Sequence, residues 1–135
     1  EWWLNMLKVR WPFLHVMRAR GVPVFLGTDA AFGFWPGTDC WPGFQEMARA
    51  VEILTRWAEF QPMDALRMAT SEAARSLGLD RDIGAIAPGL RADLVLIAGD
   101  PLADIRALRH PKMVWRDGHL VARDGLIVLP GTLER

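Results

Sequence analysis

One carboxylate stands where chemistry is commonly done: Asp29, in Gly27-Thr28-Asp29-Ala30, follows directly on the apolar run Val22-Pro23-Val24-Phe25-Leu26. An aspartate at the end of a buried strand can ligate a metal or carry a proton, or it can simply cap the turn. Residue type and spacing alone leave these readings level. Other groups able to ligate or titrate near neutral pH are few: three histidines, His15, His110 and His119, and one cysteine, Cys40. No His-x-His pair occurs. His15 falls in a helical stretch and reads as a surface or packing residue. His110 precedes Pro111 in a turn, and His119 follows Asp117-Gly118 in a hairpin, so both read as surface residues. Asp39-Cys40 reads as an incidental pair in a loop, and Asp93 and Asp100 as strand-boundary and turn residues. A catalytic zinc takes about three protein ligands. These residues do not supply such a set, so the chain by itself is expected to be inactive.

The elements around Asp29 follow from periodicity. Residues Leu7 to Arg20 read as a helix: Val9, Phe13, Val16 and Met17 recur at helical spacing, Arg18 and Arg20 sit in the last turn, and Gly21 caps it. Pro12 suits a first turn, so the regular helix is expected to begin there. Val22 to Leu26 lacks alternation and reads as a strand buried on both faces, as in a parallel sheet. From Gly27 to Gly43 runs a long loop rich in glycine, proline and aromatic residues, and loops of this length are often functional. Its rings, Phe32, Phe34, Trp35 and Trp41, either line an apolar substrate pocket or pack the loop onto its support.

Phe44 to Trp57 reads as a helix with Met47, Ala50, Val51, Leu54 and Trp57 on one face and Arg49, Glu52 and Arg56 on the other. Another helix starts near Pro62, breaks at Thr70-Ser71 and ends at Leu77 with Gly78 as cap. After Leu79 the pattern changes. Asp93 to Ala98 is a strand, Lys112 to Arg116 and His119 to Ala122 form a hairpin through Asp117-Gly118, and Leu126 to Leu129 add one more strand after Asp124-Gly125. The division is α/β before residue 78 and mostly β after it.

Sixteen basic residues balance sixteen acidic ones in 135, which argues against nucleic acid or an anionic membrane as partner. No apolar run reaches the roughly 18–20 residues of a membrane span. A single cysteine excludes an internal disulfide, and a cytoplasmic location fits. The chain starts at Glu1 with neither an initiator methionine nor a basic leader, as expected of a segment of something longer.

Three segments in series resemble the C-terminal part of the metal-dependent amidohydrolase superfamily, in particular its imidazolonepropionase-like and Xaa-Pro-dipeptidase-like branch. They are residues 21–30, ending in Gly27-Thr28-Asp29; residues 63–79, with Ala69-Thr70 and Leu77-Gly78; and residues 82–96, with Pro88-Gly89 and Ala92-Asp93, followed by Asp100-Pro101-Leu102. The resemblance implies an α/β fold: residues 1–78 as the C-terminal piece of a (β/α)₈ TIM barrel, its last strand and helices, and residues 79–135 as part of a small flanking β-sandwich. It implies hydrolysis of a C–N bond, in an amide, cyclic amide or amidine, by water activated on a divalent metal, zinc in the first place. Asp29 would then be both a metal ligand and the catalytic proton shuttle. The expected partners are a small-molecule substrate and the remainder of the barrel, from the same chain upstream or from a partner chain, with a homo-oligomer compatible. The competing readings are a non-catalytic binding module and one half of a split amidohydrolase. As a piece of a barrel the 135-residue chain alone is expected to expose apolar edges and behave poorly, whereas the binding-module reading expects a stable, soluble protein.

Overall fold

The computed structural model describes residues 2–27 and 46–128, with side chains from residue 10 and from residue 47 onward in the two stretches. Four helices come first: α1 Trp2–Ala19, α2 Glu46–Arg56, α3 Pro62–Ala69 and α4 Ser71–Ser76. A 3₁₀ helix at Ile105–Arg109 interrupts a four-stranded sheet made of β1 Leu94–Ile97, β2 Pro111–Arg116, β3 His119–Arg123 and β4 Leu126–Ile127. The fold is therefore α/β in content, with helices and sheet segregated along the chain.

Helix α1 begins well before Pro12 and runs through it, contrary to the expected start. Proline has no N–H, so the carbonyl four residues earlier, on Lys8, loses its usual partner while the helix continues. The inward stripe of α1 also differs from expectation. Trp11 and Leu14 pack against the core, His15 and Arg18 follow on the same face, and Phe13 and Val16 point away, 62% and 43% exposed. The helix carries two apolar stripes, and the described chain buries only one. Gly21, at φ +74, turns the chain out of α1 in the left-handed conformation that glycine tolerates.

Residues 22–27 have no strand ladder among the described residues. A ladder requires a neighbouring strand, and this stretch is held instead by helices. Val22 N–H donates to the Met17 carbonyl at 3.0 Å and Leu26 N–H to the Met68 carbonyl at 2.9 Å. Val24 and Leu26 rest against a core of Val51, Leu54, Ala58, Phe60, Ala65, Met68 and Ile105. Ile105 reaches this core from the far side of residue 78, so the 3₁₀ helix packs onto α2 and ties the β-rich region to the helices.

The sheet is antiparallel throughout, in the order β1-β2-β3-β4. Two Asp-Gly turns make its hairpins. Asp117 and Gly118 have φ of 52° and 76°, and Asp124 and Gly125 have 47° and 81°, the paired positive values that two-residue hairpins of this hand require. The expected break between α3 and α4 is present at Thr70, with φ −128° and ψ −93°. Gly84 lies directly against it: a Cβ there would meet the Ala74 Cβ at 2.6 Å and the Thr70 oxygen at 3.2 Å, and its φ is +95°.

Gly84→Ala therefore meets both a steric block and backbone strain, and its expected cost is roughly 2–4 kcal/mol. Gly89→Ala, at φ +88° with open space around it, meets the strain alone; its expected cost is about 1–2 kcal/mol. Urea unfolding of the two variants, compared within the whole protein, checks the difference; equal midpoints would show that the approach at Gly84 is not tight.

Candidate functional site

Asp29 and the loop residues Phe32, Phe34, Trp35, Asp39, Cys40 and Trp41 lie outside the described residues. What the structure describes is the segment that precedes Asp29 in sequence, residues 22–27, and this mount is fastened at Leu26 to the end of α3. The last four carbonyls of a helix lack intrahelical partners. Here three of the four find one close by. Leu66 accepts from the Thr70 hydroxyl at 2.7 Å, Arg67 from the Thr70 N–H at 3.1 Å, and Met68 from Leu26 N–H. Met68 is 1% exposed, so its carbonyl presents a fixed acceptor to the segment that leads, three residues later, to Asp29.

Two charged clusters flank the mount. Arg18 of α1 pairs with both oxygens of Glu72 in α4, at 2.6 and 3.2 Å, with Asp64 of α3 at 3.8 Å. The Glu72 hydrogen bond raises the Arg18 pKa above its already high value and keeps the guanidinium charged. Arg18 also lies over the Phe60 ring at 6.0 Å, and His15 stacks on the same ring with centroids 4.1 Å apart. His15 Nε2 donates to the Ala58 carbonyl at 2.6 Å. His15 is thus an exposed residue that packs on Phe60, within the surface-or-packing reading of its place in the helix.

Glu52 differs from expectation. Its spacing puts it with Arg49 and Arg56 on the face opposite Val51 and Leu54, yet it is 4% exposed, while Trp57, on the face of Val51 and Leu54, is 56% exposed. The cause is tertiary. The 3₁₀ helix covers this side of α2 and brings Arg109 onto Glu52 Oε2, an ion pair without aligned hydrogen-bond geometry, while Arg56 donates to Oε1 at 2.8 Å. The Arg56 hydrogen bond holds the Glu52 carboxyl below the usual carboxylate range against the opposing effect of burial, and Arg109 adds to it. The i,i+4 spacing of Glu52 and Arg56 was a readable signal. The approach of Arg109 was not.

The remaining residues weighed for chemistry serve turns. Asp93 Oδ1 accepts from Asp117 N–H at 2.7 Å, and Asp100 Oδ1 from Leu102 N–H at 2.8 Å. His119 Nδ1 bonds the Asp117 carbonyl at 2.9 Å at the exposed hairpin, and His110 is an exposed residue that ends the 3₁₀ helix. An open cleft of about 420 Å³ lies between Thr55, Arg56 and Pro62 on one side and Leu102 to Arg106 on the other, away from the 22–27 segment in its lining. No three His, Cys, Asp or Glu side chains come together among the described residues, so this part of the chain offers no metal site of its own. None of the described helices is long and apolar enough to cross a membrane.

Glu52 predicts a pH dependence. Its folded pKa is depressed, so its contribution is present above the unfolded value, about 4.3, and is lost as pH falls through the folded pKa. Glu52→Gln is expected to lower stability by roughly 1–3 kcal/mol at pH 7. The gap to the native protein should close as pH drops below about 4. Urea titrations at pH 7 and pH 3 check this, and a gap independent of pH would refute it.

The profile of the Amidohydrolase family matches residues 8–121. The chain is 36% identical over 121 residues to the 5-methylthioadenosine/S-adenosylhomocysteine deaminase of Symbiobacterium thermophilum, covering 83% of this chain and 27% of that protein. It is 33% identical over 110 residues to the ochratoxinase of Aspergillus niger, covering 78% of this chain and 21% of the other. The crystal structure of that ochratoxinase superposes with a TM-score of 0.55 over 67% of this chain and 22% of its own, at 26% identity. An amidohydrolase crystal structure superposes at 0.65 over 84% of this chain and 26% of its own, at 25% identity. The chain thus spans about a quarter of the length of these two relatives.

Proposed function

The chain belongs to the amidohydrolase family, and from that premise we propose that the whole protein hydrolyses a C–N bond in an amide, cyclic amide or amidine, with Asp29 at its catalytic centre. The observation that carries this reading is the mount. The chain is fastened to the helical core at Leu26 and delivers a carboxylate three residues beyond, at the end of a segment apolar enough to be a barrel strand. In this reading Asp29 is one ligand of a divalent metal, most simply zinc, and a carboxylate oxygen is a suitable donor for it. When bound, that metal supplies water acidified to a pKa of about 7. The Asp29 carboxylate accepts a proton from the attacking water and returns it to the leaving nitrogen.

The same reading accounts for surfaces the described chain leaves open. Residues 1–78 form the end of a (β/α)₈ barrel, and residues 79–135 belong to a flanking β-sandwich. Segment 22–27 then finds its ladder partners in strands outside this chain, and exposed Phe13, Val16 and Phe25 pack against neighbouring barrel elements. Val95, Leu126 and Ile127, exposed on the small sheet, meet the rest of the sandwich. The remaining metal ligands come with the missing strands. The relatives' names supply the substrates to try: S-adenosylhomocysteine and 5-methylthioadenosine, releasing ammonia, and ochratoxin.

Asp29→Asn in the whole protein is the deciding experiment. Turnover on the substrate of that panel which the native protein accepts is expected to fall by about 10²- to 10⁴-fold, with the circular dichroism spectrum unchanged. Native turnover in this variant would refute the role of Asp29. Exhaustive chelation is expected to abolish turnover and added zinc to restore it; an undiminished rate after metal removal, verified by elemental analysis, would refute the metal.

A further inference from the structure

We propose that residues 100–110 form a strap, latched to α2 by the Glu52–Arg109 ion pair and able to leave it as a unit ahead of global unfolding; the proposal is independent of the role of Asp29. The strap joins β1 to β2 and carries the 3₁₀ helix. Its backbone hydrogen bonds are internal. Ala103 and Asp104 N–H donate to the Asp100 carbonyl at 3.1 and 3.0 Å, Ala107 to Asp104 at 3.0 Å and His110 to Ala107 at 3.3 Å. Its side-chain caps are internal as well, Asp100 accepting from Leu102 N–H and Asp104 from Arg106 N–H. Among the described residues no backbone hydrogen bond ties the strap to a helix, so its release from α2 leaves no backbone group there without a partner.

Side chains do the holding. Ile105 is buried in the core, Leu108 rests against that core, and Arg109 reaches Glu52 Oε2. Glu52 faces Arg56 on its own helix, which donates to Oε1, and Arg109 on the strap, with Arg106 acting on it at longer range. While the strap is closed, losing Arg109 would strip a buried carboxylate of one of its two close partners, which makes the pair a firm latch. Departure of the whole strap admits water to Glu52 and replaces part of what Arg109 supplied, so the latch is one that can open. Both ends of the strap are suited to bend. Gly99 stands before it at φ +100° with nothing within 4 Å of where a Cβ would lie. The β1–β2 pairing shifts register between Leu96 and Ile97, whose partners are Met113 and Pro111. A glycine in open space and an irregular ladder both let the chain change direction at low cost. The cleft of about 420 Å³ already runs along this boundary, between Thr55, Arg56 and Pro62 on the helices and Leu102 to Arg106 on the strap. The strap therefore meets the helices through few contacts and has hinges at both ends.

The test is amide hydrogen exchange on the whole protein over a series of urea concentrations below its unfolding transition. A 3₁₀ helix of five residues does not persist once detached, so the amide of Ala107 reports release of the strap. The amide of Ala65, fully buried in α3 and bonded to Gln61, reports the helical core. Ala107 is expected to exchange about tenfold or more faster than Ala65, with a weak dependence on urea, because release exposes little surface. Glu52→Gln is expected to speed Ala107 exchange about tenfold while that dependence stays weak. Arg109→Gln, which leaves Glu52 its bond to Arg56, is expected to do the same and stands in if Glu52→Gln fails to accumulate. Since both residues act through one contact, the double variant is expected to stay within about threefold of the faster single variant. Equal rates and equal urea dependence at Ala107 and Ala65 in the native protein would mean that strap and helices open together, and would overturn the strap. Native Ala107 exchange in the single variants, or effects that multiply in the double variant, would overturn the latch.

Discussion

A single apolar cluster has to be closed from both ends of this chain, and most of the described structure answers to that demand. Val51 and Leu54 come from α2, Phe60 from the link, Ala65 and Met68 from α3, and Ile105 from the 3₁₀ helix beyond the change to β structure. None of these short elements is stable as an isolated helix in water. Each gains its order by burying one stripe against the others. Trp11 and Leu14 bring α1 to the cluster, and Val24 and Leu26 bring the segment that precedes Asp29. The chain leading to the proposed catalytic carboxylate is consequently part of the core rather than an appendage to it.

Polar groups around this cluster are arranged so that burial leaves few of them without partners. The end of α3 shares its carbonyls between the Thr70 hydroxyl, the Thr70 amide and Leu26, and the end of α4 passes its own to the amides of Leu77, Gly78 and Leu79. Arg18 spans from α1 to Glu72, and Glu52 is held between Arg56 and Arg109. An uncompensated charge in such a place is expensive, whereas a paired one mainly specifies geometry. Arg18–Glu72 sets α1 against α4, and Glu52–Arg109 sets the 3₁₀ helix on α2. Both pairs join elements distant in the sequence, which is what registration of a fold requires.

The β-rich region follows more local rules. Its Asp-Gly turns determine the hairpin hand, and alternate positions of β2 and β3 determine which side chains share a face. Its exposed Leu126 and Ile127, and those of α1 and the 22–27 segment, are apolar surface that an amidohydrolase barrel and sandwich would cover. The chain spans about a quarter of the length of the deaminase and ochratoxinase it matches.

The sequence by itself determined the elements whose causes are local. Gly21 and Gly78 end helices, Pro62 starts one, Thr70 breaks one, and Asp117-Gly118 and Asp124-Gly125 close hairpins, because each acts through its own backbone or its nearest neighbours. It also carried the family: the motifs around Asp29, Ala69-Thr70 and Pro88-Gly89 are local strings, and all lie within residues 8–121, which match the Amidohydrolase family. The candidate site was legible as one residue, Asp29, which lies outside the described residues, and its supporting shell was not legible. Which stripe of α1 turns inward, the burial of Glu52 and the capture of Met68 by Leu26 depend on contacts between residues tens of positions apart. Two apolar stripes, or an acidic residue beside a basic one, look alike along the chain whichever way they face. Only the packing of α2, α3 and the 3₁₀ helix into one cluster decided among them, because burial is a property of the surface that covers a residue and not of the residue itself.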